Sequence, residues 1–333
     1  MVALLRYRRI PYAVSWAVPS EFCDANGIEK PNPIFEPTFL FNENGKIEAR
    51  CDSTPLIRRL EEEYAGRSVL PPDPVLAFID YLIEDFADEW CTKYMFHYRW
   101  AHQADAQNAA QLIPLGLNVT LAQDTLEARK EWVVTRQVGR LHVVGSNETT
   151  TPTIDASFRR FLIAMERRLS DQPFMLGSRP GAGDFALYGQ LNQLVGYDPT
   201  SRAIAHDVSP RTVAWVDLMR DQGGLEPSDE DWIDLDDQSE NLRSLLGEIG
   251  RVYAPAQLAN AHAVQAGEQD WEAKIDGATW AQRSFPYQAK CLRWTNEKYA
   301  ALNDGDRDRV DAAIQGSGIK AMLFPKRGAL VTA

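Results

Sequence analysis

Apolar positions along this chain pass from helical to strand-like spacing after residue 10 and return to helical spacing near residue 55. Val2, Leu4, Leu5 and Tyr7 lie among arginines as the end of a helix, which Ile10-Pro11 stops because proline disfavours helical geometry in the residue before it. Tyr12 to Val18 alternates loosely with β-favouring residues and predicts a strand, and a Pro/Asn/Gly-rich loop follows to about Pro33. Phe39, Leu40 and Phe41 form a short apolar run, Asn42 to Gly45 a turn and Ile47 a returning strand, which together predict a hairpin. After that, Leu56, Ile57, Leu60 and Tyr64 fall at helical spacing while Arg58, Arg59, Glu61 and Glu62 face outward.

A Pro-rich connector, "GRSVLPPDP", ends this first region. From Val75 to about Arg220 the helical pattern is nearly continuous: Val75 to Trp100, Leu121 to Leu141, Ile154 to Leu169, a segment opened by "PGAGDFALYGQL", and "RTVAWVDLMR". Residues 225–240 hold eight acids, no base and no glycine, which fits a solvated linker and not a calcium loop. Beyond it, Asn241 to Val264, Trp280 to Leu302 and Arg307 to Gln315 predict an all-helical tail, broken by turns at Asp276-Gly277 and Asn303-Asp304-Gly305. The division this suggests is 1–66, a linker at 67–74, a helical domain at 75–224 and an extension at 225–333.

Composition narrows the function classes. The 333 residues are 44% hydrophobic and 25% charged, the balance of a folded globular protein with room for two domains. A net charge of -12 repels phosphate backbones, so nucleic acid is not an expected partner. No apolar run approaches the roughly 20 residues of a membrane helix, and the first residues lack the apolar stretch and small-residue cleavage site of a signal peptide, so a cytoplasmic location with no membrane partner is expected. Cys23, Cys51, Cys91 and Cys291 are dispersed, and the histidines lack paired ligand spacing, so free thiols and no metal are expected.

The candidate chemistry begins at Asp52-Ser53-Thr54-Pro55. Ser53 or Thr54 can cap the following helix, and Pro55 suits its first turn. The same exposed N–H groups and positive helix end attract a carboxylate, while Asp52 attracts an ammonium. The pair therefore suits a zwitterion. If the Glu36-Pro37 bond were cis, the strand after Pro37 would offer its backbone to a peptide ligand. Trp90, Tyr94 and His97 share one helical face.

The order of helix, Ile10-Pro11-Tyr12, strand, Pro37 opening a hairpin and Asp52-Ser53 opening a helix resembles the thioredoxin-like N-terminal domain of the glutathione S-transferases. The "LPPDP" connector and the helical region containing "FMLGSRPGAGDFALYGQL" resemble the rest of that family, so the resemblance spans roughly residues 1 to 220. It implies an α+β fold: a thioredoxin-like domain, incomplete at its start, then an all-α bundle with a helical C-terminal extension. It implies glutathione as co-substrate, with Pro37 and the adjacent Thr38 at its cysteinyl part and Asp52 and Ser53 at its γ-glutamyl end. Trp90, Tyr94 and His97 would line the pocket for a small hydrophobic electrophile, and a homodimer is the family's usual state. Asp184 matches the acid of the family's helix-capping box, with Gly181 where a hydroxyl residue is usual.

In the family a strand and a loop carrying the thiolate-stabilising residue come before the first helix, and here Met1 already lies in that helix. The expectation is that the natural product starts upstream, which leaves the catalytic residue unassigned. Two alternatives remain open: a non-catalytic glutathione or hydrophobic-ligand binding protein or dimer scaffold, and a fold kept only as an interaction platform.

Overall fold

The first sheet is the hairpin that the sequence predicts. In the computed structural model, which describes residues 1–33, 37–235 and 239–324, β1 (Phe39–Glu43) pairs antiparallel with β2 (Lys46–Arg50), Phe39 opposite Arg50. Helix α1 (Val2–Tyr7) precedes it, burying Ala3, Leu4, Leu5 and Tyr7, and α2 (Pro19–Ala25) lies between them. Helix α3 (Ser53–Glu63) follows and buries Leu56, Ile57 and Leu60. Arg59 of α3 stacks on Phe41 at 3.6 Å, and Arg8 after α1 pairs with Glu61 at 3.0 Å, so hairpin, α1 and α3 hold one another.

The strand predicted at Tyr12 to Val18 is not formed. Its Tyr12, Val14 and Trp16 are exposed and no sheet partner lies beside it among the described residues. A β-favouring composition does not make a strand without a neighbour to satisfy the backbone, and α2 forms directly after it instead.

The helical region opens with α4 (Pro74–Phe86), capped by Asp73 and buried on nearly every side, its acids Asp80, Glu84 and Asp85 included. A π-helical turn at Ala87–Cys91 joins it to α5 (Thr92–Ala101). Helices α6 (Gln103–Leu117) and α7 (Gln123–Val138) form a hairpin with its own small apolar cluster around Trp100 and Val133. Helices α8 (Thr151–Asp171), α9 (Ala182–Gly196), α10 (Pro199–Val208) and α11 (Pro210–Met219) complete the bundle, with α9 packed on α4 and α11 on α8. None of the described helices is long and apolar enough to cross a membrane.

The start of α9 explains the glycine at its cap. Asp184 accepts from the Gly181 amide at 3.0 Å and the Met175 amide at 2.9 Å. Asp80 of α4 accepts from the amides of Ala182 at 3.1 Å and Gly183 at 3.0 Å, supplying from another helix the cap that a hydroxyl at 181 would make locally. A Cβ at Gly181 would sit 2.4 Å from the Asp80 carboxylate, so the two arrangements exclude each other.

The extension corrects a second expectation. Helices α12 (Glu240–Glu248) and α13 (Ala254–Ala266) flank a π-helical turn at Ile249–Tyr253, but strands then follow: β3 (Asp270–Ile275) and β4 (Ala278–Arg283). They close through Asp276 and Gly277, both at positive φ (52° and 76°), the two-residue turn that matches strand twist. Trp271, Ile275 and Trp280 face the core. The tail is therefore not all-helical. Helices α14 (Pro286–Ala301) and α15 (Asp304–Ala313) follow, α14 on α13 and α15 on α4, and a 3-10 turn at Ile319–Met322 comes after them.

Candidate functional site

The hairpin register brings the predicted residues to one place. With Phe39 opposite Arg50, Pro37 and Thr38 enter the hairpin at the same end from which Cys51 and Asp52 leave it. The Cys51 thiol donates to the Pro33 carbonyl at 3.2 Å, which ties the preceding loop to that end. The Glu36-Pro37 bond lies outside the described residues; a cis bond is present at Asn32-Pro33.

Asp52 stands in the N-cap position of α3 at φ 85° and ψ 111°, a backbone conformation that a residue with a Cβ adopts at a cost of about 1–3 kcal/mol. An N-cap aspartate ordinarily accepts from its own helix's second or third amide. This one does not cap its helix; its Oδ2 accepts from the Tyr287 hydroxyl of α14 at 2.6 Å. Because Pro55 has no N–H and the Leu56 amide bonds to the Asp52 carbonyl, the first-turn amides left to a partner outside the helix are those of Ser53 and Thr54.

Opposite this turn runs an acidic face of α4 and its π-helical continuation. Ser53 Oγ donates to Asp88 at 3.4 Å, Thr54 Oγ1 to Glu84 at 2.9 Å, and Arg58 to Glu84 at 2.6 Å. The next acids on the same helix are held by the extension. Asp85 accepts from Tyr253 and from Thr295 at 3.1 Å, while Gln288 donates to the Glu89 carbonyl at 3.1 Å. Burial, then the neighbouring acids, pushes Asp88 well above the usual carboxylate range. Glu89 also rises, with burial as the larger cause.

Asp85 is pushed up to about 7, first by burial and then by Glu89, against the hydrogen bonds from Tyr253 and Thr295. Asp184 reaches about 7 through burial. Between pH 4 and 7 the folded protein keeps these protons while the unfolded chain, with Asp near 3.8, releases them, so rising pH favours unfolding. Urea melts across that window should show stability falling, by at most about 1.4 kcal/mol per pH unit for each group. Asp85→Asn, which keeps the shape but cannot ionise, should flatten part of the slope. A wild-type slope that the variant leaves intact would count against Asp85 as its source.

The three residues expected to line a hydrophobic pocket lie inside the core. Trp90 and Tyr94 are wholly buried; Trp90 Nε1 donates to Tyr94 at 2.8 Å, and the Tyr94 and Ser157 hydroxyls are 2.6 Å apart. The Trp90 ring packs against Trp280 of β4 with centroids 5.1 Å apart. His97 is buried with Nδ1 2.8 Å from Ser146 Oγ and Nε2 3.8 Å from Asp155, and burial pushes its pKa down to about 4. Among the described residues no group of three His, Cys, Asp or Glu is arranged to hold a metal ion.

Two residues of the site escaped the sequence reading. Asp88 had a visible signal, since Glu84, Asp85, Asp88 and Glu89 recur at i, i+1, i+4 and i+5 inside an apolar helix, where acids need a reason. Tyr287 had only its place among the aromatics of the tail. Compared with known families, residues 128–218 match the model for the glutathione S-transferase C-terminal domain. The search of curated proteins and of solved structures returns no match to this chain.

Proposed function

We propose, for a chain whose residues 128–218 carry a glutathione S-transferase C-terminal domain, that it is a transferase-like protein binding glutathione at the start of α3. The observation that supports the site best is the Asp52 carboxylate turned away from its own helix, beside first-turn amides that no side chain caps among the described residues. The γ-glutamyl end of glutathione is an amino-acid zwitterion. Its ammonium suits Asp52, and its carboxylate suits the amides of Ser53 and Thr54 with the Ser53 hydroxyl as a further donor. In this reading Pro37 and Thr38, at the same end of the hairpin, face the cysteinyl part.

Bound glutathione supplies a thiol that, once ionised, attacks an electrophilic carbon of a small hydrophobic molecule with loss of its leaving group, or a disulfide sulfur with release of the other thiol. The residues described above bind and orient the peptide; they do not include a group that stabilises the thiolate. Asp88 and Glu89 favour a second reading, because a site lined by acids offers no positive charge to stabilise a thiolate. In that reading the protein holds glutathione or a hydrophobic ligand without turning it over, as a binding protein or dimer scaffold.

Titration calorimetry tests the shared part. Ser53→Ala should weaken glutathione binding about fivefold or more, the loss of about 1 kcal/mol expected for one hydrogen bond. Unchanged affinity removes the γ-glutamyl site. Turnover of an aryl halide, a peroxide or a mixed disulfide separates the two readings, since the scaffold is retained on immobilised glutathione without converting any of them.

A further inference from the structure

The reach of α14 across to Asp52 carries the next step. Tyr287 and Asp52 are 235 residues apart in sequence, yet their side chains meet at 2.6 Å. The tyrosine is not a loose side chain. Its ring lies edge-on to Trp294 at 6.4 Å and beside Phe285 at 6.2 Å, with the Lys290 ammonium 5.5 Å from its centre. One residue on, Gln288 fastens α14 to the Glu89 carbonyl, and two turns on, Thr295 fastens it to Asp85. A hydroxyl held this way presents its proton at a fixed point.

Asp52, by contrast, sits in a costly backbone conformation and gives up its own helix cap. A carboxylate freed from its cap swings among rotamers unless something else holds it. The Tyr287 hydroxyl occupies one lone pair of Oδ2, and a carboxylate has capacity for about three more donors. The bond therefore orients the group without using it up.

We propose that Tyr287 is a positioning residue for the ligand's α-ammonium group: it holds the Asp52 carboxylate in place, so the glutathione site is shared between α3 and the C-terminal extension. The inference rests on the glutathione reading above. It makes the extension a working part of the site, although the extension lies outside the matched domain.

The test uses two ligands, glutathione and its desamino analogue in which hydrogen replaces the α-amino group, and three full-length proteins: wild type, Tyr287→Phe and Asp52→Asn. Tyr287→Phe removes one oxygen and keeps the ring packing. If the hydroxyl acts through Asp52 on the ammonium, this variant should bind glutathione about tenfold more weakly and bind the analogue as wild type does. Asp52→Asn should then bind the two ligands nearly alike. Equal weakening toward both ligands in Tyr287→Phe means a purely structural contact and overturns the proposal, as does unchanged affinity toward both. Wild type that binds neither ligand, or binds both equally, defeats the γ-glutamyl site itself and the proposal with it.

Discussion

Trp280→Ala is expected to lower the unfolding free energy by about 3–5 kcal/mol, the cost of emptying a large aromatic from a closed core. The side chain is wholly buried on β4, 5.1 Å from Trp90, with its Nε1 donating to Gln282 at 3.2 Å. Lys93 sits with its ammonium 5.7 Å from both tryptophan rings and donates to the Val144 carbonyl and to Gln282 Oε1 at 3.0 Å. Burial there pulls the lysine down to about 8, against the attraction of Glu89. Removing the indole takes away one cation–π surface and opens room for water, which restores solvation of the ammonium. Two measurements therefore move together: urea melts lose several kcal/mol, and the Lys93 titration followed by NMR moves upward. A loss below about 1 kcal/mol would mean that the bundle collapses freely into the space, and that β4 only lies over Trp90 without packing on it.

The same tryptophan pair shows where local pattern runs out. Trp90, Tyr94 and His97 share one helical face in the sequence, but what that face meets lies far along the chain: Trp280 of β4 for Trp90, Phe158 of α8 for Tyr94 and Asp155 of α8 for His97. The signal for β4 was present: Asp276-Gly277 is a two-residue hairpin turn, and Trp271, Ala273 and Ile275 alternate on the strand before it. Helices surround that turn, and its residues read equally well as a break between two of them. Tyr12 to Val18 is the converse case, since β-favouring residues there have no sheet neighbour among the described residues. Features closed within a dozen residues were legible: the 39–47 hairpin, the apolar stripe of α3, the acid of the α9 cap. The site divides along the same line. Asp52 and Ser53 could be read as a helix start with unusual chemistry, whereas Asp88 and Tyr287 enter through contacts of 35 and 235 residues' separation. The missing hydroxyl at Gly181 belongs with them, because its replacement, Asp80, is a hundred residues away.

Arg99 offers the sharpest test of how α5 is fixed to the matched domain. Its guanidinium meets the Asp198 carboxylate side-on, Nε to Oδ1 at 2.9 Å and the second nitrogen to Oδ2 at 3.0 Å, while the third donates to Gln193 at 2.7 Å. Both partners of the ion pair are buried, and the cation lies 4.6 Å from the Tyr197 ring. Burial raises Asp198 above the usual carboxylate range, and Arg99 is the group that opposes the rise. Arg99→Ala should therefore cost about 3–5 kcal/mol, because it leaves a buried carboxylate uncompensated. Arg99→Lys should recover only part of that loss, since a point charge cannot reproduce the two parallel bonds and the contact with Gln193. The pH dependence identifies the cause. Without Arg99 the folded protein protonates Asp198 more readily than the unfolded chain does, so the alanine variant should lose more stability at pH 8 than at pH 5 relative to wild type. Equal losses at the two values would assign the cost to lost packing on Tyr197, and a loss that vanishes in the Arg99→Ala/Asp198→Asn double variant would assign it to the stranded charge.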